Sequence, residues 1–93
     1  MDRFLIEIPH DGTAAACARA AELLLRTGSH FMTHAEYGCT DGVHKAWMIV
    51  ETDSREDARN LVPPDLKPIA QITRLNHFTM AQVDDLKRRH KGS

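Results

Sequence analysis

Residues 3 to 8 place Phe4, Ile6 and Ile8 on one side of an extended chain and Leu5 and Glu7 on the other, and His10 continues the apolar side beyond Pro9. This period-two alternation predicts a half-buried strand. The pattern then changes to helical spacing, with Cys17, Ala20, Ala21 and Leu24 forming one stripe in a run of Ala, Arg, Glu and Leu. Asp11 or Thr13 supplies an N-cap, the helix is predicted through about Arg26, and Gly28 stops it. Its small residues permit a close seat on a sheet.

Two further extended segments, residues 30–39 and 43–52, flank Asp41-Gly42, a pair favoured where a two-residue hairpin loop needs positive φ at both positions. With that loop, Thr40 faces Val43, Cys39 faces His44, Tyr37 faces Ala46 and Ala35 faces Met48. One face of the hairpin then carries Phe31, Ala35, Tyr37, Ala46, Met48 and Val50 and suits burial under helices. The other carries Met32, His34, Glu36, Lys45, Trp47, Ile49 and Glu51. A slip of one residue would exchange the two sets. Ser54 and Asp57 open a short helix over 55–62, and Pro63-Pro64 end it before an extended connector at 65–68. A fourth strand is predicted over 69–78, with a phase that alternation does not set, so His77 is assigned to neither face. Thr79 and Gln82 form a capping box for a last helix that turns Val83 and Leu86 inward.

The order β, α, β, β, α, β and a final helix is the split βαβ, ferredoxin-like pattern of an α+β protein. Right-handed crossovers put the antiparallel strands in the order 4-1-3-2 with both main helices on one face. With no linker or low-complexity tract, residues 1–93 form a single ferredoxin-like domain.

A chain of 93 residues that is 42% hydrophobic, with a net charge of -1, supports one small core that self-association would strengthen. Its basic residues gather at Lys87, Arg88, Arg89 and Lys91, where a helix C-terminus favours them, without aromatic neighbours, so a nucleic-acid module is not expected. No leader is visible and no apolar run approaches the roughly 18 residues of a membrane span, so a cytoplasmic protein with no membrane partner is expected. In a reducing compartment Cys17 and Cys39 are expected as free thiols or metal ligands rather than as a structural disulfide.

Met32, Trp47 and Ile49 lie on a sheet face that no helix is left to cover, which predicts a partner sheet in a homodimer or higher homo-oligomer. Glu7, His34, Glu36, Trp47 and Glu51 would then line an interface pocket, where carboxylates and imidazole can act as general acid and base on a small organic molecule. In the competing arrangement these groups form rim ion pairs with Arg74 or Lys45 while the apolar side chains fill the dimer core.

Candidate chemistry concentrates at one corner. Strand one runs antiparallel beside strand three, so His10 at the end of the first meets His44 at the start of the third, and Cys39 joins through the hairpin. His10, Cys39 and His44 make a three-ligand soft site, open at a fourth position for Cys17, Asp65, water or a ligand. Thiolate and neutral imidazole suit a divalent transition ion such as Zn or Ni. The spacing is not that of a zinc finger, because Cys39 and His44 are five apart and His10 is remote. Without metal, Cys39 is a candidate nucleophile with His44 or His10 as its base.

The opening Phe4-Leu5-Ile6-Glu7-Ile8 strand, the central Trp47-Met48-Ile49-Val50-Glu51 strand and Ser54-Arg55-Glu56-Asp57-Ala58 at the second helix resemble the small dimeric α/β-barrel proteins. That class includes muconolactone isomerases, antibiotic-synthesis monooxygenases and small nickel-binding proteins, and the resemblance covers residues 3–79. Pro9-His10, Gly38-Cys39 and Gly42-Val43-His44 are also similar to motifs of uncharacterised short bacterial proteins. The resemblance implies a ferredoxin-like dimer and transfers no active-site residue. Three functions follow as expectations: a small soluble metal-binding sensor, carrier or accessory protein, a dimeric barrel enzyme of isomerase or monooxygenase type, and a purely structural assembly module.

Overall fold

Strand β1 (Asp2–Pro9) runs through the middle of a four-stranded antiparallel sheet in the structure, a computed structural model that describes residues 1–27 and 34–90. Its alternation is realised side chain by side chain: Phe4, Ile6 and Ile8 are fully buried while Leu5 and Glu7 are half-buried on the opposite face. Strand β3 (Lys45–Thr52) lies along one edge of β1 from Asp2 opposite Thr52 to Pro9 opposite Lys45. Strand β4 (Gln71–Leu75) lies along the other, with Leu75 opposite Arg3 and Gln71 opposite Glu7. The described part of β2 (Glu36–Tyr37) pairs with β3 at Glu36–Trp47 and Tyr37–Ala46, the register predicted for the hairpin. The sheet order is β2-β3-β1-β4. Counted from the β4 edge, the same neighbours read 4-1-3-2.

Helix α1 (Ala14–Thr27) starts at Thr13 rather than Asp11, because Thr13 Oγ1 accepts the Ala16 N–H at 3.0 Å. It buries Ala20 and Leu24, the latter contributing about 2 kcal/mol by removal from water. Helix α2 (Arg55–Asn60) is capped by Ser54, whose Oγ accepts the Asp57 N–H at 3.1 Å. Leu24 and Ala58 share one core with Phe4, Ile6, Ile8, Ala46, Met48 and Val50, so α1 and α2 cover the same face of the sheet.

Four sequence expectations are corrected. Helix α2 stops two residues early, at Asn60, and residues 61–70 are not extended but coil through successive turns, with Leu66 N–H on Pro63 O and Ala70 N–H on Leu66 O. This path buries Val62, Leu66 and Ala70 in register with Ala58, a repeat of four that the two prolines conceal. Strand β4 is consequently shorter than 69–78. Helix α3 (Met80–His90) forms the predicted capping box, Thr79 N–H to Gln82 Oε1 at 2.8 Å and Gln82 N–H to Thr79 Oγ1 at 3.2 Å. Its apolar side is not turned inward: Met80 is 71% exposed, Leu86 37%, and Val83 alone is half-buried.

The fourth correction concerns the hairpin tip. Instead of a two-residue loop, Cys39–Asp41 form a single 3-10 turn that ends at Gly42, which has a positive φ of 81°. Gly42 N–H bonds to Cys39 O at 3.2 Å and Val43 N–H to Gly38 O at 2.9 Å. That pair of bonds closes a helical turn on a left-handed glycine. Asp41 therefore does not need the positive φ of the predicted turn. The predicted Gly28 stop and the predicted strand positions His30, Phe31 and Met32 lie outside the described residues. Among the described residues no helix is long and apolar enough to cross a membrane.

Candidate metal centre

The β1–β3 ladder continues one pair beyond the strand assignments, because His10 N–H donates to His44 O at 3.0 Å. The two imidazoles are thereby placed side by side at one end of the sheet, with ring centroids 6.0 Å apart. The 3-10 turn carries Cys39 to the same corner, where its Sγ lies 3.2 Å from His10 Nε2. One ligand atom from each of His10, Cys39 and His44 lies within 4.8 Å of the others. The three predicted ligands thus converge, although Cys39 arrives by the turn and not by the predicted strand pairing with His44.

The orientation of His10 follows from its neighbour. Its Nδ1–H donates to the Asp11 carbonyl oxygen at 3.1 Å. A carbonyl can only accept, so in the neutral ring the proton sits on Nδ1 and the Nε2 lone pair faces the Cys39 sulfur. This is the arrangement in which a protein presents histidine to a metal. His44 Nδ1 is buried and has no hydrogen-bond partner among the described residues. An unpaired buried polar atom costs about 1–3 kcal/mol, which a bound cation or proton donor would offset. Gly12 permits the β1–α1 loop to pass over that ring: a Cβ there would sit 3.2 Å from His44 Cδ2 and 3.3 Å from Nε2.

Cys17 occupies the second turn of α1 and is joined to Cys39 by a disulfide, with Cα atoms 6.8 Å apart, the outer end of the usual span. The expectation of free thiols is therefore corrected. Capping at Thr13 brings the start of α1 beside the hairpin tip, and no local pattern in either segment encodes that proximity. Cys17, predicted as an optional fourth ligand, is at the corner. Asp65, the other option, is absent from the ligand group and instead borders a cleft of about 370 Å³ with His10, Arg19 and Leu66. A groove of about 440 Å³ is bordered by Gly12, Cys17, Ala18, Ala21, Cys39 and His44, so both cysteines line it.

The second candidate group is partly assembled. Glu36, Trp47, Glu7 and Gln71 form one row across the open face, and Trp47 Nε1–H donates to Glu7 Oε1 at 3.0 Å. Glu51 lies farther along, opposite Arg3, and His34 is exposed and precedes the strand. Leu5 and Ile49 share this face, the latter 56% exposed. His77, unassigned by pattern, accepts from Arg3 Nη2 through its Nε2 at 2.6 Å. Sequence reasoning missed the Asp11 carbonyl, whose only signal is its position directly after a strand-terminal histidine. Comparison of the chain with protein-family models, curated proteins and solved structures finds no match.

Proposed function

We propose that this is a small transition-metal-binding protein, in a sensor, carrier or accessory role, that holds a divalent ion at His10, Cys39 and His44. The observation that carries this reading is the convergence of those three ligand atoms within 4.8 Å. The locked His10 ring and the orphaned His44 nitrogen support it. Once the disulfide is reduced, Cys17 adds a fourth donor, and two sulfurs with two imidazoles are a donor set suited to Zn²⁺, with Ni²⁺ as the competitor. A bound ion would favour the thiolate and neutral-imidazole forms and tie α1 to the sheet end.

The sheet order, antiparallel directions and shared helix face support a ferredoxin-like domain related to the dimeric α/β-barrel class. The open face carrying Leu5, Trp47 and Ile49 then seats a second copy. The test is metal uptake by the reduced protein. Titration with Zn²⁺ and Ni²⁺ against a chromophoric chelator should give one ion per chain. Cys39→Ala and His44→Ala should each lower affinity by more than the roughly 10–100-fold that loss of an outer-shell partner causes. A reduced, folded protein that takes up neither ion would sink the reading.

A further inference from the structure

We propose that the Cys17–Cys39 pair is a redox switch on this centre: two-electron reduction by a small dithiol opens a Cys/Cys/His/His site, and reoxidation closes it and releases the ion. This rests on the metal reading above and adds its regulation. The decisive observation is that one atom belongs to both states. Cys39 Sγ is bonded to Cys17 and is also the sulfur of the ligand group. A disulfide sulfur carries no thiolate charge, and the thiolate is the form that ligates. Disulfide and metal therefore compete for the same sulfur.

The surroundings favour exchange over a permanent tie. In the oxidised form the His10 Nε2 lone pair faces, at 3.2 Å, a sulfur with no proton to give, and His44 Nδ1 is buried without a partner. A thiol proton or a cation at the corner would answer the His10 lone pair. The His10 imidazole is held independently of the sulfurs by the Asp11 carbonyl, and the backbones of both histidines are fixed by the ladder. Reduction thus leaves half of the ligand set in position. The groove along Cys17, Ala18 and Ala21 supplies the approach.

The chemistry balances as thiol–disulfide exchange. A thiolate of the dithiol attacks Cys17 Sγ, the S–S bond breaks, and its electron pair leaves on Cys39. The second thiol of the reductant resolves the mixed disulfide, releasing Cys17 and the oxidised reductant. Two electrons and two protons are gained by the protein, and a divalent ion then displaces the two thiol protons. A disulfide oxidant reverses the sequence and expels the ion.

The experiment equilibrates the full chain in reduced and oxidised dithiothreitol, counts thiols, and repeats the titration at several free Zn²⁺ concentrations. Because Zn²⁺ binds the reduced form, the midpoint should rise by about 30 mV for each tenfold increase in free Zn²⁺ above the dissociation constant. Adding excess oxidised dithiothreitol should release Zn²⁺ to a chromophoric indicator. His10→Ala with His44→Ala should keep the disulfide and lose most of the midpoint shift. Cys17→Ser should retain Zn²⁺ through the remaining ligands and become insensitive to oxidant. Equal Zn²⁺ affinity of oxidised and reduced protein would overturn the switch and leave the metal reading standing. A pair that cannot be reduced without loss of the folded circular-dichroism spectrum would overturn it too, with Cys17→Ser still reporting on metal binding. A midpoint indifferent to Zn²⁺, together with no Zn²⁺ uptake by Cys17→Ser, would overturn both.

Discussion

Tyr37 shows what a single buried polar atom does to this small core. Its side chain packs against the core and its hydroxyl is buried without a hydrogen-bond partner among the described residues. Burial raises its pKa above the ordinary value of 10.0. The neutral phenol is therefore the form the fold accepts, so this contribution to stability is fully present below the unfolded-state pKa and is lost as pH rises through the folded one. Tyr37→Phe should leave stability at pH 7 unchanged or raise it by up to about 1 kcal/mol, and should reduce the alkaline loss above roughly pH 10. Urea midpoints at neutral and alkaline pH measure both effects. At the proposed metal corner, Gly12→Ala presses a methyl group on the His44 ring and should weaken Zn²⁺ binding by roughly tenfold, as loss of outer-shell support does. An unchanged affinity would show that the loop yields instead of the ring.

The helices differ in how much their ends matter. Helix α2 has six residues, too few to persist without its cap and its buried Ala58. Ser54→Ala should therefore lower global stability by about 1 kcal/mol, read as a shifted urea midpoint with unchanged slope. Helix α3 has a reciprocal capping box, but Phe78 just before it and Met80 at its start are 59% and 71% exposed. Thr79→Ala should fray α3, visible as faster amide exchange at its first turn, without moving the urea midpoint of the core. At the hairpin tip, Gly42→Ala forces a Cβ into a left-handed position and should cost about 1 kcal/mol. It should also disturb Cys39, so slower recovery of the disulfide after reduction is expected.

The whole molecule is longer than its residue count suggests: its radius of gyration is 16.4 Å, against roughly 12 Å for a compact chain of this length. The core lies between the sheet and α1 with α2, and Ile6→Ala, which deletes a fully buried side chain from it, should destabilise by about 2–5 kcal/mol. The opposite sheet face is left to Leu5, Glu7, Trp47 and Ile49. If a second copy covers it, Ile49→Glu should convert a dimer to a monomer in sedimentation experiments with little change in helix content. A wild-type protein that stays monomeric at all concentrations would leave that face without its proposed occupant.

Alternation in residues 3–8 and 45–52 determined by itself which side chains are buried, and with the hairpin register it determined that His10 and His44 would meet. Period-two patterns are local, and a one-residue error would have put Phe4, Ile6 and Val50 in water, so the sequence leaves little freedom there. The caps at Ser54 and Thr79 were legible for the same reason, since donor and acceptor are three residues apart. Other features depended on where separate segments end in space. Pro63-Pro64 read as a break, yet the coil of residues 61–70 that contains them buries Val62, Leu66 and Ala70 against the core. The approach of Cys17 to Cys39 and the turn of the His10 ring onto the Asp11 carbonyl are likewise products of tertiary packing. Strand pattern and hairpin pointed to His10, Cys39 and His44 at one corner, whereas the bond from Cys39 to Cys17 was settled by folding alone, because it depends on a Cα separation that no local pattern encodes.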